Sequence, residues 1–279
     1  MPGSSGQRRP RPKVPAAERA QEHLRYSVSV DRGFAILERF SSTRASEGIA
    51  DISASVALPR SSVHRYLQTL SALGLVEQRG TPRRRYRLTA LAADVGTVAI
   101  AATGLRALAH EELVALRRSS ACTARLAIRL GLDALLVDQA ISFAPGQGML
   151  ALDARPGTRL ADADCALRQA LLAQLDLSDL PGDLHRKGCT ARAALEQVRE
   201  RGVAVQDRAG DARACALAVP IALPDSGQAI AAIDLVASLP VTLATLQEHL
   251  DALTATAQRL APAIAQLPWA QWRPYRRPE

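Results

Sequence analysis

The sequence is poor in aromatic residues and in cysteine, and it contains no long apolar run. Phe, Trp and Tyr make up 3% of the 279 residues, while hydrophobic residues of all kinds make up 48%. Ala, Leu, Val and Ile must therefore form the core. No window approaches the roughly 18 uninterrupted apolar residues of a membrane span, and the N-terminus lacks the apolar segment of a signal peptide. We therefore expect a cytoplasmic protein without membrane contact.

The four cysteines predict neither a metal site nor a disulfide framework. Cys122, Cys165, Cys189 and Cys215 lie far apart, with no C-x-x-C pair and no histidine at ligand spacing. Structural zinc sites and small disulfide-bonded domains both need closer or patterned cysteines. We expect reduced thiols, as in a cytosol, and we predict no metal and no cofactor.

Positive charge is concentrated in the first third of the chain. The formal net charge is +8, and residues 1–90 contain 16 Lys and Arg against 7 Asp and Glu, whereas residues 91–279 contain 19 against 20. A positive field at one end favours binding of a polyanion, because each neutralised phosphate releases condensed counterions. The alternative is a solvated basic face without a partner.

The two ends of the chain have compositions typical of segments without a fixed structure. Residues 1–25 are rich in Gly, Ser, Pro and Arg and are predicted to form a disordered basic arm. This arm either follows a DNA backbone or minor groove or is an unbound tail. Residues 268–279 form an aromatic and basic tail, for which a frayed terminus and a contact with DNA or a partner subunit are the alternatives.

Residues 26–88 show the pattern of three helices followed by a hairpin. Apolar residues at helical spacing predict a first helix that begins at an N-cap Ser29 and ends near Ser41,. A second helix is expected from about Ile49 to Leu58, and a third from there to a stop at Gly74. Two short strands with a turn at residues 80–82 come next. This order is that of a winged helix-turn-helix.

The third helix has one apolar side and one polar side. At roughly 100° per residue, Val63, Leu67 and Leu70 share a face,. The opposite face carries Ser61, Arg65 and Gln68, with His64 on the flank and no carboxylate. Side chains of this kind can hydrogen-bond base edges in a major groove without repelling phosphate. The hairpin that follows contains Arg83, Arg84, Arg85 and Arg87, which are suited to phosphate or minor-groove contacts.

The segments SVSVDRGFAILERF and LPRSSVHRYLQTLSALGLVE, followed by YRLT, resemble the IclR-type bacterial transcriptional regulators. The resemblance is specific from Ser29 to about Gly96. It implies DNA contacts at a set of residues in the third helix, to which the helical pattern adds Gln68 and the hairpin adds Arg83, Arg84 and Arg85. The implied set is Arg60, Ser61, Ser62, His64 and Arg65.

One position in this region departs from the family pattern. The glycine usual in the turn before the third helix is replaced by Ala57. If this position needs a positive φ, alanine costs about 1 kcal/mol there.

The remaining sequence predicts a linker helix at residues 89–107 and an α+β domain at residues 108–267. Alternating segments predict a hairpin (CTARLAIRL and ALLVDQAI), a third strand (GMLALDARPGTRL), two helices (DCALRQALLAQL and TARAALEQVRERG) and two closing strands (CALAVPIAL and QAIAAIDLVAS),. Strands, then helices, then strands indicate an α+β fold with an antiparallel sheet. The resemblance to the family implies that this is its effector-binding domain.

The resemblance also implies an effector pocket, although its usual sequence motifs are altered here. The segments LADADCALRQALLA and QDRAGDARAC depart from the family pattern, so a ligand class is not carried over. The matching pocket positions are Met149, Gln206, Asp207, Cys215, Asp234 and Val236.

These features predict a sequence-specific transcriptional regulator, not an enzyme. We expect a homodimer or a dimer of dimers on double-stranded DNA with a pseudo-palindromic operator, controlled by a small metabolite. One alternative is a ligand-independent regulator with a degenerate effector pocket. Another is an enzyme that uses Cys122 or Cys215 with His110 or His185, although no recognisable catalytic motif is present and no catalytic residue is predicted.

Overall fold

The computed structural model describes residues 27–40, 44–80, 84–143, 154–175, 180, 190–207, 214–224, 227–238 and 240–267. The chain divides into two compact units, Met1–Leu91 and Ala92–Glu279. The predicted basic arm at 1–25 and the predicted tail at 268–279 lie outside the described residues.

The first unit is a winged helix-turn-helix, as predicted. Its elements are α1 (Val28–Leu37), α2 (Ile49–Val56), α3 (Arg60–Ala72), β1 (Val76–Arg79) and β2 (Arg85–Leu88). The strands β1 and β2 pair antiparallel and form the hairpin that we call the wing, residues 76–88. One apolar core holds these elements together, built from Ile36, Phe40, Ile52, Val63, Leu67, Leu70, Val76 and Tyr86.

The boundaries of the first two helices differ from the predicted ones. The N-cap of α1 is Ser27, whose side chain accepts a hydrogen bond from Val30 N at 3.4 Å. Ser29 lies inside the helix, because the extended backbone conformation that a cap requires occurs two residues earlier. The helix α1 ends at Leu37 instead of Ser41, and α2 ends at Val56.

The turn between α2 and α3 contains a strained alanine. Ala57 has φ 52 and ψ 38, in the left-handed region. Its N–H donates to the carbonyl of Ser53, and Leu58 N donates to the same carbonyl at 3.3 Å. Ser53 Oγ in turn donates to the carbonyl of Leu58 at 2.6 Å. These bonds hold a conformation that disfavours any side chain with a Cβ atom.

The helix α3 ends in a Schellman motif that leads directly into the wing. Leu75 N donates to the carbonyl of Leu70 at 2.9 Å, and Gly74 N donates to that of Ser71 at 3.0 Å. Gly74 has φ +75, which glycine adopts without steric cost. The predicted stop at Gly74 therefore has the expected physical cause.

The second unit contains an antiparallel sheet, as predicted. Its described strands are β3 (Thr123–Leu130), β4 (Asp133–Ala140), β5 (Arg159–Leu160), β6 (Ala204–Asp207), β7 (Ala214–Ala222) and β8 (Ala229–Ser238). Their spatial order is β5-β4-β3-β8-β7-β6, so the first and last long strands, β3 and β8, are neighbours in the middle of the sheet.

Helices cover both faces of this sheet. The described helices are α4 (Ala90–Ala102), α5 (Leu105–Ser120), α6 (Ala166–Leu172), α7 (Thr190–Arg201), α8 (Leu243–Gln247) and α9 (Leu250–Ala265). One face packs against α5, α8 and α9 through residues such as Leu113, Leu217 and Leu260. The opposite face packs against α6 and α7 through residues such as Leu171 and Leu195. Because both faces are covered, β8 is buried along nearly its whole length.

Several elements of the second unit differ from the sequence-based expectations. The helical segment expected at 89–107 is interrupted at Gly104, which has φ +71, and α4 and α5 meet at 78°. The strand β6 and the C-terminal helices α8 and α9 were not predicted. Apolar residues in α9 at helical spacing, Leu253, Leu260 and Ile264, gave a signal for it. Of the predicted third strand, residues 148–153 lie outside the described residues.

Among the described residues, no single helix is long and apolar enough to cross a membrane. The pair α4 and α5 meets the criteria of length and composition only when the two are taken together. Five residues of α5, among them Leu105, Leu113 and Leu116, are buried within the protein.

We predict that Ala57→Gly stabilises the first unit. Glycine removes the steric cost of the left-handed conformation, so the free energy of unfolding should rise by about 1 kcal/mol. Native-state hydrogen exchange at core amides such as Val63 and Leu67 measures this change in the full chain. The control Ala35→Gly, inside α1, should change it in the opposite direction. A lower free energy of unfolding in Ala57→Gly would contradict the inference that Ala57 is strained.

Candidate functional site

The outer face of α3 is exposed and carries polar side chains. Ser61, Arg65 and Gln68 are exposed, whereas Val63 and Leu67 are fully buried. Within the part of the chain that the structure describes, the side chains of these three residues form no hydrogen bond or ion pair; the carbonyl of Arg65 accepts from Thr69 Oγ1 at 3.1 Å. The face therefore presents donors and acceptors that remain available to a ligand.

The beginning of α3 extends this face. Arg60 is its first helical residue and is exposed, while Ser62 and His64 are half-buried beside it. The N-cap, Pro59, provides no side-chain hydrogen bond. The backbone N–H groups of the first turn consequently have no side-chain cap, and groups of this kind hydrogen-bond to water or to an anion.

The arginines of the wing are in different environments. Arg84 is exposed and has no hydrogen-bond partner among the described residues. Arg85 is engaged: its Nε donates to Ser46 Oγ at 3.1 Å and its Nη2 donates to the carbonyl of Ser46. Arg85 thus holds β2 against the segment before α2. Arg83 lies outside the described residues.

The wing also carries a carboxylate that neutralises two of its cations. Glu77 accepts a hydrogen bond from Arg87 Nε and lies 3.3 Å from Arg79 Nη2. The hydrogen bond from Arg87 lowers the pKa of Glu77 below its usual value. The positive field of the wing is therefore weaker than its arginine count indicates.

A buried glutamate connects the wing to the helical core. Glu47 is 5% exposed and accepts hydrogen bonds from Arg39 Nε at 3.3 Å and Arg39 Nη2 at 3.0 Å. Its backbone exchanges two hydrogen bonds with Tyr86 in β2. The sequence analysis did not single out Glu47, and only its position shortly after two arginines, Arg39 and Arg44, gave a signal.

The residues predicted for an effector pocket lie on two different faces of the sheet. Val236 packs in the cluster under α6 and α7, and Asp234 shares its face because the two lie two positions apart on β8. Gln206 reaches the same side, since its Oε1 accepts from Ala166 N at the start of α6 at 3.3 Å. Cys215 packs in the opposite cluster, and Asp207 is its register partner. Met149 lies outside the described residues.

The thiols have no geometry that indicates a nucleophile. Cys215 Sγ donates to the carbonyl of Val241 at 3.6 Å, and Cys122 Sγ donates to the carbonyl of Ser120 at 3.3 Å. Burial raises the pKa of Cys215, which disfavours a reactive thiolate. His110 Nδ1 instead lies 2.7 Å from Asp138 Oδ2. Among the described residues there is accordingly no thiol–imidazole pair, and no group of three or more His, Cys, Asp or Glu could hold a metal ion.

A buried ion pair occupies the middle of the face under α6, which we call the α6 face. Arg125 on β3 and Asp234 on β8 are register partners. Arg125 Nε donates to both carboxylate oxygens of Asp234, at 3.0 and 3.2 Å, and Arg125 Nη2 donates to Oδ2. The side chains are 11% and 0% exposed. The sequence analysis missed Arg125, although an arginine at an inward position of a strand is unusual.

The two groups of this ion pair respond differently to burial. Burial raises the pKa of Asp234, and the charge of Arg125 offsets this effect only in part. Burial also acts to lower the pKa of Arg125, but the charge and hydrogen bonds of Asp234 outweigh it and raise that pKa overall. Loss of either side chain would therefore leave the other as a buried charge without a partner, which destabilises the fold.

Two further polar atoms on the α6 face have no hydrogen-bond partner among the residues that the structure describes. They are the buried Oε1 of Gln139, the register partner of Arg125 on β4, and the buried Oγ of Ser238. Ser238 lies four positions from Asp234 on β8 and is 7% exposed. Buried polar atoms are nearly always hydrogen-bonded, so these two atoms mark places where a ligand could be bound.

Comparison with known proteins identifies similar regulators. Residues 29–80 match the IclR helix-turn-helix domain. The chain is 28% identical over 221 residues to the Pca regulon regulatory protein of Pseudomonas putida. The aligned region covers 75% of this chain and 74% of that protein. It is 27% identical over 193 residues to the transcriptional repressor IclR of Escherichia coli, with 64% and 69% covered.

The fold is also similar to that of solved structures. The structure of an IclR homologue from Microbacterium hydrocarbonoxydans, complexed with 4-hydroxybenzoate, matches with a TM-score of 0.60 at 21% identity. The match covers 84% of this chain and 97% of that one.

Proposed function

We propose that the chain is an IclR-type transcriptional regulator in which α3 contacts the bases of an operator, the wing contacts the DNA backbone, and a small molecule bound on the α6 face controls the protein. The match of residues 29–80 to the IclR helix-turn-helix domain and the similarity to the transcriptional repressor IclR support this proposal. The observation that carries this proposal is the exposed polar face of α3. A cytoplasmic location, where thiols stay reduced, is part of this proposal, and it is supported by the described cysteines Cys122, Cys165 and Cys215, which form no disulfide bond with one another.

Base contacts are assigned to the α3 face because its side chains match what a major groove offers. Arg65 can donate two hydrogen bonds to a guanine, and Gln68 can pair with an adenine edge. Ser61, Ser62, Arg60 and His64 lie at or near the N-terminal end of α3, the part of a recognition helix that usually contacts bases and nearby phosphates. The buried Val63 and Leu67 fix the orientation of the helix, so that these side chains face a duplex together.

Backbone contacts are assigned to the wing, but its arginines have different roles. Arg84 is exposed and has no partner among the described residues, so it is the described wing residue best placed for phosphate. Arg85 donates to Ser46 and therefore positions the wing, with a weaker contribution to DNA binding than predicted. Arg83 stays a predicted contact.

A homodimer is supported by the surface of α4. No residue of α4 is buried, and Leu91, Val95 and Val98 form an exposed apolar stripe at positions i, i+4 and i+7,. The helix carries a single charged side chain, Asp94, so it has little charge to attract a different partner. A second copy of the chain would cover the stripe and supply the second α3 that a pseudo-palindromic operator requires.

An effector site is assigned to the α6 face because polar side chains meet there under a helix. Gln206, Asp234 and Val236 lie on this face, and Met149 stays a prediction outside the described residues. Asp207 and Cys215 lie on the opposite face, so they are less suited to direct contact. The relative in complex with 4-hydroxybenzoate supports small-molecule binding in this type of domain. The alternative, a ligand-independent regulator, would be favoured if no member of a broad metabolite panel raised the melting temperature.

We predict that Arg65→Ala and Arg84→Ala weaken DNA binding in different ways. Loss of Arg65 should reduce discrimination between operator and random DNA by about 1–3 kcal/mol. Loss of Arg84 should weaken binding to all duplexes and lower the slope of log K against log salt by about one. Fluorescence anisotropy on both DNAs over a salt series measures these effects, after operator fragments have been selected from genomic DNA.

The controls for this prediction are Arg259→Ala, at an exposed arginine of the second unit, and a chain that begins at residue 91. The first should bind DNA normally and the second should not bind the operator. Equal losses on both DNAs for Arg65→Ala and Arg84→Ala, or retained operator binding by the shortened chain, would contradict the assignment.

We predict that Glu77→Gln strengthens binding to every duplex. The substitution removes a carboxylate from the wing and releases Arg79 and Arg87 to contact phosphate. Affinity should rise roughly 3- to 10-fold at low salt, with a steeper salt dependence. The same anisotropy titrations measure this change. Glu112→Gln, which makes the same charge change in the second unit, is the matched control, and an equal gain in both variants would assign the effect to net charge alone.

We predict that Val95→Glu weakens the homodimer. A carboxylate in the apolar stripe of α4 would be buried without a partner, which is strongly unfavourable. Sedimentation velocity should show more monomer, and operator affinity should fall with it. Ala93→Glu, on the opposite side of the same helix, is the control and should stay dimeric. A Val95→Glu variant that dimerises as well as Ala93→Glu would exclude this surface.

A further inference from the structure

The segment before α2 adds a short third strand to the wing. The backbone N–H of Glu47 donates to the carbonyl of Tyr86 at 3.0 Å, and the N–H of Tyr86 donates to the carbonyl of Glu47 at 2.8 Å. The two residues thus form an antiparallel bridge. On β2, Tyr86 lies between Arg85 and Arg87, and Arg84 precedes it by two residues. The bridge therefore fixes the part of the wing that carries these arginines.

The side chain of Glu47 connects the same segment to the end of α1. Arg39, two residues after the last residue of α1, donates Nε and Nη2 to the two carboxylate oxygens, the two-pronged geometry that is strongest between these groups. The side chain of Glu47 is 6% exposed and that of Arg39 is 23% exposed, so water competes little for the carboxylate. One side chain and one backbone bridge consequently link α1 to β2.

A buried ion pair contributes orientation more than stability. Removing a carboxylate and a guanidinium from water is unfavourable, and apolar side chains of similar size are often at least as stabilising in such a place. Apolar contacts are non-directional, whereas two parallel hydrogen bonds add geometric specificity. Tyr86 and Val76 already attach the wing to the apolar core, so the pair of Arg39 and Glu47 adds a direction to that attachment.

We propose that Glu47 is a positioning residue for DNA binding, which together with Arg39 holds the wing in the orientation in which its arginines meet phosphates of a duplex bound by α3. This inference rests on the DNA-binding function proposed above. Glu47 does not contact DNA itself, because its side chain is buried. Arg85 provides a second link, to Ser46, but this link is exposed, and water competes with it.

Glu47→Gln and Glu77→Gln should change DNA affinity in opposite directions. Both substitutions remove one carboxylate from the first unit, so net charge alone would strengthen binding in both variants. Glutamine at position 47 weakens the link to Arg39, because an amide nitrogen that accepts no hydrogen bond replaces one carboxylate oxygen. Affinity for operator and random DNA should then fall about 3- to 10-fold, and the slope of log K against log salt should decrease by up to about one as a phosphate contact is lost.

A double-mutant cycle with Arg84→Ala separates positioning from a loss of stability. If Glu47 acts through the wing, Glu47→Gln should weaken DNA binding by less than about 2-fold in a chain that already lacks Arg84. A smaller folded fraction would instead weaken binding by the same factor in both chains. Hydrogen exchange measures the wing without DNA: the amide of Tyr86 should exchange about 10-fold faster in Glu47→Gln, with a smaller change at Val63 in the core.

Arg39→Lys keeps the test informative if Glu47→Gln does not fold. Lysine keeps a positive charge beside Glu47 and leaves the net charge unchanged, but it lacks the planar fork that donates two parallel hydrogen bonds. DNA affinity should therefore fall by about 2- to 5-fold, with the same dependence on Arg84. Arg259→Lys, at an ion pair of the second unit, is the matched control and should bind DNA normally.

The possible outcomes separate this inference from the proposed function. If Glu47→Gln strengthens DNA binding as Glu77→Gln does, Glu47 acts through its charge alone and the inference is overturned. Equal losses of affinity with and without Arg84, and equal acceleration of exchange at Tyr86 and Val63, would assign Glu47 to stability and overturn it as well. If the unmodified protein binds no duplex, the proposed function is wrong, while faster exchange at Tyr86 in Glu47→Gln would still support the orientation of the wing by Glu47.

Discussion

The burial of one side of α3 is the constraint on which the interpretation of the whole protein depends. Val63, Leu67 and Leu70 are held in the core of the first unit, and the geometry of a helix then determines which side chains lie on its outer surface. Rotating α3 about its axis to present other residues would expose this apolar stripe, at a cost of about 1.5 to 3 kcal/mol for each large side chain. The surface offered to DNA is therefore as rigid as the core beneath it.

The same principle sorts the polar residues of the second unit. Successive residues of a strand face opposite sides of the sheet, and helices cover both sides here. As a result, Asp207 and Cys215 contribute to one side, while Gln206 and Asp234 contribute to the other. The pleat of the sheet thus divides the pocket positions that the family resemblance implies. Only the positions on one face of the sheet can contact a given ligand.

Local patterns in the sequence were sufficient for the winged helix-turn-helix but not for the details of the second unit. Helical period, the glycine stop at Gly74 and the order of the elements predicted the first unit, because each of these signals acts within a single helix or turn. The N-cap was wrong by two residues, since Ser27 and Ser29 are equivalent in residue type and differ only in backbone conformation. The position of Ala57 in the left-handed region agrees with the cost anticipated from its missing glycine.

Long-range pairing explains what the sequence could not predict. Arg125 and Asp234 are 109 residues apart, and only the register of β3 against β8 makes them partners. Arg85 and Ser46 are likewise brought together by the fold, so the arginines of the wing, which are equivalent in the sequence, differ in the structure. The strand β6 has four residues, too few for a clear alternating pattern.

Pairing also determines what each arginine can do. A guanidinium that is exposed and without a partner, such as that of Arg84, keeps its charge available for phosphate, and its energy is set by solvent and salt. A guanidinium that is buried must have its counter-charge supplied by the protein, as Arg125 has in Asp234, because an isolated buried charge would destabilise the fold by several kcal/mol. The protein therefore leaves the charge of Arg84 exposed in the first unit and pairs the buried charge of Arg125 with Asp234 in the second.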